Sequence, residues 1–547
     1  MRWTCACLAS LLSLTLAVSG APPRFYDDDP VWLERDHQNA STVRPWRIDL
    51  IANVLFNLFG KLGDPAVNVR AKNLNTVDEV PDSSWFTNRL GHRTVSVDEI
   101  TKGPDVTTGP AAGTWTVTAS KSDGVTPGFT IRDQTGQIWF LKFDPPGYRG
   151  MATGTEVAVT KLMWALGYNV SENHIAGFRR EQLAIGDGAQ FSPPGGIARP
   201  MHATDIDALL KRANREPDGS YRVVASKALE GTPLGGFRFF ATRPDDPNDI
   251  VAHEHRRELR GYGVFAAWLN QFDANSINSL DTLVTQDGRA FVRHYLIDFG
   301  STLGSGGAQP RQYWEGHEYL VEPSRVGKQM VSFGFRASEF RTIDLYESRS
   351  IGRMPLDNSR FEPDRWKPRV PNSAFLQSRA DDRFWAAQKL AALTPEMVRA
   401  AVGVGQFGDP KSEDFLVKAI TERRDAILRA YLTAVNPVVS PVLDASGSLT
   451  LRNAAVEAGV AKEPLGYRAR WYLFDNTSFE KQLLGETSSS TNKLLSPREL
   501  PTRSGVFITV DLSATGGPSP WQEPVHAYFR RLERDWRLVG FERMPQD

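Results

Sequence analysis

The sequence predicts an α+β protein built from several domains, and three observations carry that expectation. The chain has 547 residues, too many for one hydrophobic core. Through its middle, stretches that alternate apolar and polar residues give way to stretches with apolar residues at helical spacing. From residue 438 onward, strand-like phrases succeed one another between Gly, Pro and Ser. The composition is that of an ordinary globular protein, 41% hydrophobic and 23% charged, with 64 Lys plus Arg against 64 Asp plus Glu. A broad nucleic-acid-binding face has no support in this balance, because such a face needs clustered excess cations to displace condensed counterions.

At the N-terminus, MRWTCACLASLLSLTLAVSGAPP has one Arg, an apolar run from Leu8 to Val18 and then small residues, the layout of a secretory signal peptide. The run is shorter than the roughly 20 residues of a membrane-spanning helix, so residues 1–20 are expected to be removed after Gly20. The mature chain is then exported, to the periplasm or beyond. No other stretch is long and apolar enough to span a membrane. Cys5 and Cys7, the two cysteines, lie in this segment, so disulfides and Cys-ligated metal are excluded from the mature chain.

Residues 21–110 read as an extension packed on the adjoining domain, with an amphipathic stretch from Ile48 to Leu62. TWTVTAS, FTIRD and IWFLKF are expected strands, the last two joined by a turn at Gln134–Gln137. TGTEVAVTKLMWALGYNV is an expected helix with Thr153 or Thr155 at its cap. RVVASKAL is another strand, GTPLGG a hinge-like break, and 251–270 a helix ending in VFAAWLN. DTLVT and AFVRHYLIDFG form a hairpin turning at Gln286–Arg289. A long irregular region rich in Arg and Pro comes after Gly306, the chain is helical again from Asp381, and 438–547 is a small β-domain.

Phosphoryl transfer needs a cation on the nucleotide phosphates, a carboxylate to hold that cation, oxygen ligands for metal, and a carboxylate to receive the acceptor's proton. Lys142 ends the strand IWFLK, and Glu156 starts the next helix where it can pair with that lysine. Asp273 opens D-A-N-S-I-N, so Asn278 lies five residues on, and Asp298-Phe299-Gly300 comes across the hairpin. This ordered set resembles the protein-kinase-like superfamily at D-x-x-x-x-N and D-F-G. The resemblance covers about residues 114–435 and is specific around Asp273–Gly300. It implies a two-lobed protein-kinase-like fold, with an N-lobe (111–235) and a C-lobe (236–437) between the extension and the β-domain. It also implies roles: Asp273 as the catalytic carboxylate, Asn278 and Asp298 on Mg²⁺ or Mn²⁺, Lys142 on the ATP phosphates, and Glu156 holding Lys142. SDGVTPGF, with Gly124 and Gly128, stands where a phosphate-covering loop belongs.

The departures from the family pattern are specific. The loop lacks G-x-G-x-x-G, so Gly124 and Gly128 also suit plain turn positions. Gln271-Phe272 stands where His-Arg precedes the catalytic Asp, and no A-P-E comes after Asp298. The chain is thereby more similar to the atypical groups: HipA-like, spore-coat CotH-like and secretory-pathway kinases. The expected activity is a metal-dependent transfer of the ATP γ-phosphate to a hydroxyl of a protein, glycan or small molecule. Nucleotidyl transfer on the same fold, a pseudokinase scaffold and a carboxylate-based hydrolase are the alternatives. Elsewhere, His253-Glu254-His255 reads as a solvated helix, since i, i+2 spacing splits the two imidazoles between faces. Asp27–Asp29 reads as a flexible acidic start, and Trp85 as an aromatic packed on its neighbour.

Overall fold

A computed structural model describes residues 22–60, 62–121, 127–193, 196–321 and 339–545. The proposed signal peptide, its two cysteines and Gly124 lie outside the described residues. The described chain is mixed α+β. Helices α1 (Leu50–Phe59) and α2 (Val97–Lys102) belong to the extension. Next in the chain is a seven-stranded sheet, made of β1 (Trp115–Ser120), β2 (Gly128–Arg132), β3 (Ile138–Phe143), β4 (Asn173–Phe178), β5 (Leu183–Phe191), β6 (Arg199–Pro200) and β7 (Tyr221–Lys227). Its order is β4-β7-β3-β2-β1-β5-β6, antiparallel throughout β1-β2-β3-β7. One face buries Trp115, Phe129, Trp139, Leu141 and Phe143 together with Ile206 and Leu210 of α4 (Ala203–Leu210). Helix α3 (Met151–Ala165) is packed along β4 and β7.

Two carboxylates organise the chain around this sheet. Asp133, at the end of β2, accepts hydrogen bonds from the amides of Ala111, Thr135 and Gln137, the Thr135 hydroxyl and the Trp139 indole, at 2.7–3.1 Å. That organises the turn expected at Gln134–Gln137. The start of α3 departs from expectation. Neither Thr153 nor Thr155 caps it, because both lie inside the helix, which begins after Gly150 in a left-handed conformation (φ 84°). The buried Asp144 carboxylate, just past β3, takes the amides of Gly150, Ala152 and Thr153 and the Thr153 hydroxyl at 2.7–2.9 Å. Arg222 of β7 backs it at 3.7 Å.

The second part is built around α5 (Arg257–Leu269) and a three-stranded sheet of β8 (Thr232–Gly235), β9 (Ser279–Gln286) and β10 (Arg289–Leu296), in the order β10-β9-β8. The expected hinge at GTPLGG is in fact β8, paired with β9. Gly235 (φ 93°) passes so near Trp46 that a Cβ there would meet its carbonyl oxygen at 2.1 Å, so the extension's backbone covers this strand. Helices 380–391 and 410–431 pack on α5, helix 395–403 packs on 410–431 and α3, and the last described helix of this group ends at Tyr431, short of the expected Pro437. The region after Gly306 holds a hairpin, Leu345–Ser348 with Gly352–Pro355.

The four expected C-terminal strands are present as 466–474, 507–515, 525–531 and 536–542. A fifth, Lys481–Ser489, joins the sheet's edge; its side chains are exposed or half-buried, so no apolar alternation marks it. Trp471, Ile508 and Val510 from this sheet, Phe384 and Trp385 from helix 380–391, and Phe265 and Trp268 from α5 share one apolar core.

Three readings of the sequence are corrected. His253, Glu254 and His255 are buried: His253 bonds Asp249 at 2.7 Å, and His255 bonds Asp64 at 3.0 Å and Arg260 at 2.8 Å. The acidic start is anchored, because Phe25 packs among Phe474, Phe507 and Tyr528, Asp29 is buried, and Asp27 pairs with Arg530. The irregular region is in part a hairpin. Trp85 is packed as expected, stacked on His294 with centroids 3.5 Å apart. Among the described residues, no helix is long and apolar enough to cross a membrane.

Asp133 gives this region an acid sensitivity. Burial alone would raise its carboxyl, but the donors around it, the Thr135 hydroxyl foremost, hold it down at about 2. A carboxyl lowered on folding stabilises above its unfolded value, and that contribution is lost as pH falls through the folded value. We expect Asp133→Asn to cost on the order of 2 kcal/mol at pH 7. The gap to wild type should close as pH drops from 3.8 through about 2. Denaturant unfolding across that pH range checks this, and a gap independent of pH would contradict it.

Candidate functional site

Along β3, Trp139, Leu141 and Phe143 point into the core, so the period-two alternation puts Lys142 on the other face, toward α3. There its ammonium lies 3.2 Å from Glu156 Oε2 and 2.9 Å from Asp298 Oδ1. Glu156, 2% exposed, also accepts from the Phe299 amide at 3.0 Å and Asn173 Nδ2 at 3.4 Å. Asp298 adopts φ 60°, a left-handed conformation that Asp tolerates better than most residues and that still carries strain. Gly300 lies two residues on, and a Cβ there would stand 3.2 Å from Glu156 Oε2.

The loop bearing Asp273 begins where α5 stops at Asn270, itself left-handed (φ 53°). Asn270 is held by the Leu303 carbonyl and the Trp366 indole, both at 2.9 Å. Asn275 Nδ2 donates to the Asp273 carboxylate at 3.0 Å, and Asn278 Nδ2 donates to the Asp273 carbonyl at 2.7 Å. The Ile297 amide donates to the Asn278 carbonyl at 3.0 Å, tying this loop to the strand that delivers Asp298. Lys142, Glu156, Asp273, Asn278 and Asp298 thus line one cleft of about 540 Å³. Gly128 is not among its lining residues. It opens β2 opposite Lys142, where a Cβ would meet the Leu141 carbonyl at 2.4 Å, so close backbone approach accounts for it.

The cleft holds a cation that no motif announces. Arg369 Nη1 lies 3.6 Å from Asp273 Oδ2, while its Nε donates to the buried Glu315 at 2.9 Å. Its guanidinium sits over the Phe272 ring, and its amide donates to the Phe272 carbonyl. Lys121 also lines the cleft.

The electrostatics divide the two aspartates. Burial pushes the Asp273 carboxyl above its ordinary range; Arg369 opposes that and the Asp298 charge adds to it. Burial would also raise Asp298, but Lys142 and then Lys121 overcome it and hold the carboxyl below its ordinary range. Burial works against the Lys142 ammonium, and the Asp298 and Glu156 carboxylates outweigh it, so its charge is strengthened. Paired carboxyls pushed in opposite directions suit one to bind cations and the other to handle protons. The donor set fits a hard divalent metal: Asp298 offers carboxylate oxygen, and Asn278, whose Nδ2 is spent on the Asp273 carbonyl, offers amide oxygen. A second acidic group, Asp105, Glu172 and His174, is compensated by lysines, with Lys161 on Asp105 and Lys227 on Glu172.

No family model and no curated protein matches this sequence. A crystal structure of a Helicobacter pylori proinflammatory kinase, CtkA, is similar to 56% of this chain and 93% of its own, at 11% identity and a TM-score of 0.27. So distant a likeness carries no argument, and the site stands on its own geometry.

Removing Lys142 tests that geometry. Lys142→Met leaves Glu156 buried without its cation and should cost about 3–5 kcal/mol, as breaking a buried pair does. Adding Glu156→Gln removes the stranded charge, so the double variant should be more stable than Lys142→Met alone. Denaturant unfolding of both variants checks this; additive losses would show that the pair is not coupled.

Proposed function

We propose that the protein is an exported, metal-dependent phosphotransferase of the atypical kinase-like kind, with a two-lobed kinase-like architecture. It moves the γ-phosphoryl group of ATP to a hydroxyl of a protein, glycan or small molecule. The observation that carries the reading is the lysine bound to both a helix carboxylate and Asp298, in the same cleft as Asp273 and Asn278. A binding scaffold has no need for that charge set. Asn278 and Asp298 would hold Mg²⁺ or Mn²⁺, which when bound neutralises phosphate charge.

The rest falls to the chain's own groups. Lys142, kept charged by two carboxylates, binds the α- and β-phosphates, and Glu156 fixes where its ammonium stands. Asp273 orients the acceptor hydroxyl and takes its proton; its raised pKa makes it a better base than an ordinary aspartate. As the acceptor oxygen bonds to the γ-phosphorus, the bond from that phosphorus to the bridging oxygen breaks and ADP leaves with the electron pair. Arg369, beside Asp273 and anchored by Glu315, supplies positive charge where the transferring group passes.

The two aspartates should therefore fail differently. Asp298→Ala should abolish the metal-dependent part of ATP binding, measured by calorimetric titration with and without Mg²⁺. Asp273→Ala should keep binding near wild type and lower transfer by roughly 10²–10⁴-fold. Equal loss of binding in both folded variants would overturn the assignment of roles. Binding and turnover untouched in both would overturn the function.

A further inference from the structure

A second cavity, of about 520 Å³, lies where helix 380–391 meets the extension and the C-terminal strands. It shares no lining residue with the cleft and has the size of a small-molecule site. Most charges on its wall are matched internally. Arg257 pairs with Asp78 and Asp381, each at 3.2 Å, and Arg452 pairs with Glu457 at 2.6 Å.

Two cations are left over. Lys389 and Arg543 are each 4% exposed, and among the described residues neither has a carboxylate within 4.0 Å. Among the described residues Lys389 donates only to the Asn88 side-chain oxygen, at 3.2 Å. Arg543 Nη2 donates to the Val438 carbonyl at 2.8 Å, while its Nη1 is buried without a partner among the described residues. Against these two cations stands one lining carboxylate that is in no ion pair among the described residues, Glu79, which accepts from the Trp385 indole at 3.1 Å. Burial pushes the Lys389 ammonium down and the Arg543 guanidinium down to about 10, so the charge around them falls short of compensating them. Buried cations ordinarily have paired anions. The wall also offers flat apolar surface in the half-exposed Trp32, whereas Phe384 and Trp385 are buried, with the Arg543 guanidinium over the Phe384 ring at 4.1 Å and the Lys389 ammonium over the Trp385 ring at 5.4 Å.

We propose that this cavity is a second ligand site, which takes a small ring compound bearing a phosphate or carboxylate group. The oxyanion is held by Lys389 and Arg543, and the ring lies against Trp32. The site is separate from the phosphoryl-transfer cleft and stands whether or not that reaction is correct.

Phenyl phosphate is a suitable probe, titrated calorimetrically into the full chain beside inorganic phosphate and phenol. It should bind more tightly than either control. Lys389→Met and Arg543→Gln should each weaken it roughly tenfold or more, the loss expected for a hydrogen bond to a charged group. Asp298→Ala, in the other cleft, should leave its affinity unchanged. Affinity retained in Lys389→Met, loss of binding in Asp298→Ala, or phenyl phosphate binding no better than inorganic phosphate would each overturn the proposal. Should Arg543→Gln fail to fold for want of its bond to Val438, Lys389→Met decides the question alone.

Discussion

The buried carboxylate of Glu156 is the constraint on which the rest of the cleft depends. An ionised carboxylate removed from water is costly unless donors and a cation surround it. Here those donors come from three different places: Lys142 from β3, Asn173 from the start of β4 and the Phe299 amide from beyond β10. Satisfying one group therefore fixes α3 against its sheet and draws residues 298–300 from the second part of the chain onto that helix. Asp144 does matching work at the start of α3, where its carboxylate gathers three amides. Between them the two acids set both the position and the rotation of α3, and hence where Glu156 stands beneath Lys142.

Once Lys142 is held there, Asp298 and Asp273 cannot have alike environments. Asp298 stands within hydrogen-bond distance of the ammonium, which stabilises its charge. Asp273 is offered a weaker cation contact, Arg369 at 3.6 Å, and faces the Asp298 charge as well. The same lysine that holds one carboxyl below its ordinary range thus leaves the other as the more basic group. The difference in chemistry comes from placement, since the two residues are identical in kind.

What the sequence made legible was local. Strand, turn and helix spacings identified β1 to β3, α3 and the β9–β10 hairpin, because each depends on residues near one another in the chain. The spacing from Asp273 to Asn278 and the Asp298-Phe299-Gly300 phrase were readable for the same reason. What escaped was long-range. Arg369 lies far along the chain from Asp273, in a region without periodicity, and only folding brings them together. His253 and His255 looked solvated because their helical spacing splits two faces, yet the extension and β8's neighbours cover both. The cap of α3 was assigned to nearby threonines, where a carboxylate from the preceding strand reaches in first. The edge strand 481–489 was missed because an edge with exposed faces has no apolar alternation to display.

Helix α5 shows how the parts act on one another. It runs roughly 20 Å at 1.5 Å per residue. At its start, Arg257 and Arg260 bind Asp381 and Asp382, and Arg257 also binds Asp78 of the extension. At its end, Asn270 turns the chain into the loop that bears Asp273. Arg379, beside the same acids, donates to the Met544 carbonyl, so the last described strand region is tied into this network as well. The C-terminal sheet is consequently no loosely attached module: its Trp471 and Val510 continue the core that Trp268 of α5 begins. Arg257 and Asp381, which form part of the wall of the C-terminal cavity, thus also hold the start of the helix whose other end carries the Asp273 loop.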